Sequence, residues 1–293
     1  MVKQISVLIV GLCLWVTGSV VHAADTARNQ TSRAQANEQI DLAGRQRMLS
    51  QRMAAASCLA MVGADVANRR AITRASWEEF DNFLVAIRHG DTEHGWSAAE
   101  DKEVLAAIDQ VERIWSETKL SILQIAAGDL QLDIVRTYMA GSAPLLKRSD
   151  DLVKALSGAF GGSVISAEQA ETIDIAGRQR MLSQRMMKNA CMFAVGLQRE
   201  KAGDMLETHI ALFDESLQKL STGDTEAGII EPPTRALSTQ LAAIDQLWRA
   251  YQGELEELMA APALDTEQLS NLAMQSDVLL GEMDKAVKMY VAE

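Results

Sequence analysis

The chain has 293 residues, 28 Lys and Arg against 40 Asp and Glu, a net charge of −12, and only 4% aromatic residues. That acidity argues against nucleic acid or an anionic membrane as a partner, so any anion site must be a local concentration of arginine. Four prolines, five phenylalanines and three tyrosines, set among abundant Ala, Leu, Met, Gln and Glu, favour helix and leave little material for strands.

The N-terminus reads as an export signal at 1–23. Lys3 gives a positive start, Ile5 to Val21 is an apolar run, and Val21-His22-Ala23 is a small-x-small site, so cleavage is expected after Ala23 or Ala24. Cys13 follows Leu12, where lipid attachment would want a small residue. No later segment approaches the length of a membrane span. The expectation is an exported, periplasmic protein.

Four helices follow, expected at about 34–67, 73–88, 98–127 and 130–157. Gly90-Asp91 ends the second and Gly128-Asp129 separates the third from the fourth. Gly158, Gly161 and Gly162 mark a join, after which the pattern begins again. Ile40-Asp41-Leu42-Ala43-Gly44-Arg45-Gln46-Arg47-Met48-Leu49-Ser50-Gln51-Arg52-Met53 returns at Ile173–Met186 with a single difference, Leu42 against Ile175, at an offset of 133. The same offset carries Cys58 onto Cys191, Phe80-Asp81 onto Phe213-Asp214, and Gly90-Asp91-Thr92-Glu93 onto Gly223-Asp224-Thr225-Glu226. Leu105–Gln110 matches Leu241–Gln246 three residues late, which places an insertion near Pro232-Pro233. In the last helix, Asp265 is an N-cap candidate. Short connections make neighbouring helices antiparallel. The expected architecture is all-α: two tandem up-down four-helix bundles, at 28–160 and 163–293, related by a pseudo-two-fold axis.

Stepping about 100° per residue sorts the repeated motif into two faces. Leu42, Leu49, Met53, Ala56 and Ala60 form a core stripe. Gly44, Arg47, Gln51, Ala54 and Cys58 form a second stripe of small and polar residues, matched by Gly177, Arg180, Gln184, Met187 and Cys191. Arg45 and Arg52 fall between the faces, where salt bridges or solvent suit them. A small, polar stripe suits close approach of another helix. If the two first helices meet there, Arg47 faces Arg180, and two like charges repel unless an anion lies between them. A planar oxyanion accepts guanidinium hydrogen bonds from both sides. An exposed face paired with nearby acids is the plainer reading of so many arginines.

The repeated motif resembles the signature helix of PilJ-type sensor domains, four-helix modules of some chemoreceptors. More loosely it is similar to the P-box of nitrate sensor kinases of the NarX/NarQ type. The resemblance extends through the later Phe-Asp and Gly-Asp-Thr segments of both copies. It implies association through the first helices, with the anion across the interface contacted by Arg47 and Arg180 and by backbone near Gly44 and Gly177. Gln51, Gln184, Met48 and Met181 complete the ligand-binding candidates, and nitrate or nitrite is the implied ligand. The chain departs from those sensors in showing no HAMP-like, kinase or methyl-accepting segment. The expected role is therefore a binding component reporting to a membrane sensor kinase or chemoreceptor, as monomer or homodimer. The alternative is an adaptor whose arginine stripe docks on a receptor without a small ligand.

Cys58 and Cys191 occupy equivalent positions in an oxidising compartment, so a disulfide and a pair of buried thiols both remain open. His89, His94 and His209 read as surface histidines. Neither zinc spacing, a Ser-His-Asp order nor a Glu-x-x-His pair is present, so no metal, cofactor or enzymatic activity is expected.

Overall fold

The computed structural model describes residues 16–160, 165–260 and 265–292, with side chains from Ser32 onward. Residues 1–15 of the expected signal segment at 1–23, and the glycines at 161 and 162, lie outside the described residues. Eight helices follow one another: α1 (Val16–Met61), α2 (Val66–His89), α3 (Lys102–Ala127), α4 (Leu132–Phe160), α5 (Ala167–Ala194), α6 (Arg199–Thr222), α7 (Arg235–Ala260) and α8 (Thr266–Val291). Among the described residues there is no strand; the isolated bridges Asp91–Trp96 and Asp224–Ile229 lie in the equivalent α2–α3 and α6–α7 loops.

Two four-helix bundles result. Helix α1 packs on α2 and α4, and α3 closes the ring between them; α5 packs on α6 and α8, with α7 closing the second ring. The most extensive helix pair in the molecule is α1 against α5, which joins the bundles. These two helices therefore face a core on one side and each other on the opposite side. That is why their sequences are not simply amphipathic: Gly177, Arg180, Gln184 and Lys188 are buried in α5 along with Leu182 and Met186.

Local chemistry explains the element ends. Asp101 accepts from Glu103 N and Val104 N, capping α3, and Asp265 caps α8 in the same way through Glu267 N and Gln268 N. The first helix stops earlier than its apolar pattern suggests, at Met61 rather than 67. Gly63 sits at φ +90°, its N–H donates to Ala60 O, and Ala64 N–H reaches back to Leu59 O, a left-handed exit that ends the helix. Asp65 is also left-handed and starts α2 at Val66, seven residues before the expected 73.

The register of the third helices corrects the sequence match. Trp115 packs on Phe80 with centroids 4.6 Å apart and donates its indole N–H to Asp81 at 2.9 Å. Trp248 does the same with Phe213, at 4.3 Å, and Asp214, at 3.0 Å. These pairs, and the starts of α3 and α7 at Lys102 and Arg235, keep the offset of 133, so no insertion falls near Pro232-Pro233. A three-residue slip is nearly one helical turn, so the out-of-register match still aligns apolar positions. The Phe-Asp pairs have a structural reason to be repeated: each holds a buried tryptophan from the third helix.

Candidate functional site

The second stripe of the repeated motif is where α1 meets α5. Gly44 and Gly177 leave room there for two arginine heads. A Cβ added at Gly44 would lie 3.3 Å from Arg47 Nη2 and 3.7 Å from Arg180 Nη2; at Gly177 it would lie 3.5 Å from both. The two guanidinium groups, one from each copy, thus converge on the same pair of glycines. Arg47 is 1% exposed and Arg180 0%.

Carboxylates compensate the cost of burying these charges. Arg47 Nη1 donates to Asp150 on α4 at 2.9 Å, and its Nη2 lies 2.6 Å from Asp174 Oδ1 on α5. Arg180 repeats the arrangement in reverse: Nη1 donates to Asp284 on α8 at 2.8 Å, and Nη2 donates to Asp41 on α1. Each arginine therefore bonds one acid of its own bundle and one from the other copy's first helix. Such crossed pairs lock α1 to α5, because neither charge is satisfied within its own bundle alone.

The neutralisation leaves donors over. Nε of Arg47 and Nε of Arg180 are both buried with no hydrogen-bond partner among the described residues. The 2.6 Å contact of Arg47 with Asp174 Oδ1 is an ion pair without hydrogen-bond alignment, and Oδ1 is likewise unpartnered. Around the centre, Arg45 bonds Glu79 and Asp284, Arg178 pairs with Asp174, Lys154 with Asp150, and Lys288 with Asp284. Burial opposes ionisation of Asp284, but Lys288, Arg180 and Arg45 outweigh it and pull the carboxyl down to about 2. Burial would likewise weaken the Arg47 cation; Asp174 and Asp150 overcome it and raise its pKa.

The other candidates make contacts of their own. Gln51 donates to Ser142 O at 3.1 Å and accepts from Lys188 Nζ at 2.8 Å, while Gln184 donates to Ser276 Oγ at 3.0 Å. Both glutamines thus brace the first helices against the fourth. Met48 and Met181 belong to the buried apolar core. Cys58 and Cys191 are joined as a disulfide across α1 and α5, with Cα atoms 6.3 Å apart. His209 is not on the surface as expected: it is 3% exposed, with Nδ1 3.0 Å from Asn189 Nδ2. Burial, with Arg185 and Lys188 nearby, lowers its pKa to about 3.

Sequence reasoning missed four acids and one lysine. Asp41 and Asp174 stand inside the repeated motif, and their identical retention was the available signal. Their partners lie on the other copy, however, and no single-helix projection could supply them. Asp150 and Asp284 occupy equivalent places on the fourth helices. Lys188 has no counterpart, since Ala55 stands at its position in the first copy. The burial of both arginines also removes the adaptor reading in its expected form, because an arginine stripe enclosed between α1 and α5 presents no face to a receptor.

Comparison with known proteins agrees with the repeat. The sequence profile of the PilJ family, the N-terminal region of type IV pili methyl-accepting chemotaxis transducers, matches residues 29–139 and again 165–273. A stretch of 122 residues, 42% of the chain, is 32% identical to the methyl-accepting chemotaxis protein McpN of Pseudomonas aeruginosa. The chain spans only 22% of that relative's length. The solved ligand-binding domain of the P. aeruginosa nitrate receptor McpN matches at 31% identity, over 40% of this chain and 91% of that one, with a TM-score of 0.36. Among the described residues no helix is long and apolar enough to cross a membrane. With its family profile matched twice in succession, the chain belongs to the PilJ family, as a tandem of two sensor domains of the chemotaxis-transducer type.

Proposed function

We propose that this protein is a periplasmic, sensor-type binding component for a small oxyanion, nitrate or nitrite, held between α1 and α5. Its two copies, at 28–160 and 163–293, would be related by a pseudo-two-fold axis through that helix pair. The carrying observation is the convergence of Arg47 and Arg180 on Gly44 and Gly177, with both buried Nε–H groups left unpartnered. A planar anion accepts from guanidinium forks on two sides and replaces the Asp41 and Asp174 contacts, which are the pair's cross-copy partners. Covalent fusion of two family domains places both arginines in one polypeptide, so the site needs no second chain. Similarity to a protein named as a nitrate receptor supports the choice of ligand. The implied partner is a separate membrane sensor kinase or chemoreceptor, with no catalytic step, metal or cofactor in the protein itself.

The test is a thermal-shift series with nitrate, nitrite, chloride and sulfate. The wild type should be stabilised by nitrate or nitrite above the ionic-strength effect of chloride. The Arg47→Lys and Arg180→Lys variants keep the charge but lose the fork, and each should abolish that difference. Equal response to all four salts, or a nitrate shift that survives both substitutions, would remove the proposal.

A further inference from the structure

A cavity of about 650 Å³ opens between α4, α5 and α6. Four of its lining side chains are cationic (Arg136, Arg185, Lys188 and Lys201) and none is acidic. Arg136, Arg185 and Lys201 form no ion pair among the described residues. Lys188 is 8% exposed, and its polar partner is the neutral Gln51 amide. Met139, Met192 and Met205, with Leu197 and small alanines, supply apolar lining. A buried ammonium without a counter-ion is costly, and here burial, Arg185 and Lys201 together lower its pKa to about 7.

The equivalent place between α8, α1 and α2 shows what closes such a cavity. There, Asp277 on α8 pairs with Arg69 on α2 at 2.7 Å and with Arg52 on α1 at 3.3 Å. Arg185 is the counterpart of Arg52 within the repeated motif. Ala202 stands where Arg69 stands, sharing the offset of 133 with the left-handed residues Asp65 and Gln198. Ala143 stands where Asp277 stands, each immediately following the serine that takes the glutamine bond, Ser142 or Ser276. One of these two places is filled by a three-residue ion-pair set. The other lacks the acid, has alanine for one arginine, and adds Lys188 in place of Ala55.

We propose that this cavity is a binding site for an organic carboxylate with an apolar body. A carboxylate supplies the counter-charge that these cations lack, and the thioethers adapt to an apolar body of varied shape. The volume suits a small organic molecule and far exceeds an inorganic oxyanion of a few atoms. This inference stands apart from the nitrate reading, since no residue of the Arg47–Arg180 pair lines the cavity.

Calorimetric titration of the full disulfide-bonded protein with benzoate and with hexanoate tests it. The wild type should give saturable binding with at least one of the two. Lys188→Met should weaken that binding by at least about tenfold. The double substitution Ala143→Asp and Ala202→Arg rebuilds the closed ion-pair set of the equivalent place and should abolish binding, with the circular dichroism of the wild type retained. Arg47→Lys with Arg180→Lys should leave carboxylate binding unchanged, which separates the two sites. No saturable heat with either probe, or a Lys188→Met protein that binds as tightly as the wild type, overturns the proposal.

Discussion

The centre of the α1–α5 contact and the two places flanking it follow opposite rules. At the centre the copies agree: Arg47 with Asp150 and Asp174 on one side, Arg180 with Asp284 and Asp41 on the other. At the flanks they differ, with Arg52, Asp277 and Arg69 forming a closed set in one and Arg185, Lys188, Ala143 and Ala202 bordering an open cavity in the other. The physical difference is whether the copies share one place. The two central arginines converge on the same pair of glycines, so changing either disturbs both halves. Each flank is built from one fourth helix and the other copy's first two, so the two flanks are free to take different chemistry.

If this contrast is right, loss of charge should cost most at the centre. Arg180→Ala leaves the buried Asp41 without its cation and takes one of three cations from the partly exposed Asp284, and urea unfolding should show a loss of about 3–5 kcal/mol. A loss no larger than that of an exposed pair would mean the centre is hydrated and the crossed network is unimportant. Next in size is the covalent link between copies. Replacing Cys58 and Cys191 by alanine should lower stability by about 2–5 kcal/mol, read from the same unfolding curves without reductant.

The flanks should respond more weakly and in a pH-dependent way. Lys188 is held down to about 7 by its burial and by the cations beside it, against its ordinary 10.5. The unfolded chain therefore binds the extra proton between those values, so stability should rise with pH from 7 towards 10.5 and lose this contribution on the way back down. Among the groups around it, His209 is held down to about 3 and is already neutral across that range. Comparing wild type with Lys188→Met at pH 7 and at pH 9.5 should show this slope, about 1–3 kcal/mol, in the wild type alone. A parallel response of the two proteins would place Lys188 in water. Smallest of all, Arg52→Ala removes a partly exposed pair 3.3 Å from Asp277 and should cost under about 1 kcal/mol.

Much of this was legible before any coordinates. The repeat announced two bundles, and the composition announced helices. The spacing of Gly44, Arg47, Gln51 and Cys58 placed those residues on a second helix face, and the fold puts that face against its counterpart on α5. What escaped was whatever depended on the other copy or on slight geometry. Asp41 and Asp174 take their partners across the boundary, so their role is invisible on one helical wheel. The end of α1 turned on the left-handed conformations of Gly63 and Asp65 rather than on hydropathy. The register of α7 was obscured because a slip of nearly one turn keeps apolar residues on the same face. Lys188 lacked a repeat partner, and a reading guided by repetition passes over a residue that occurs once.

The decisive measurement is the stoichiometry of nitrate or nitrite binding by calorimetry, referred to the chain mass in solution. Two arginines sharing one place predict a single anion per chain, lost on changing either Arg47 or Arg180 to lysine. Two anions per chain, each removed by only one of those substitutions, or no heat at all, would contradict a shared site between α1 and α5.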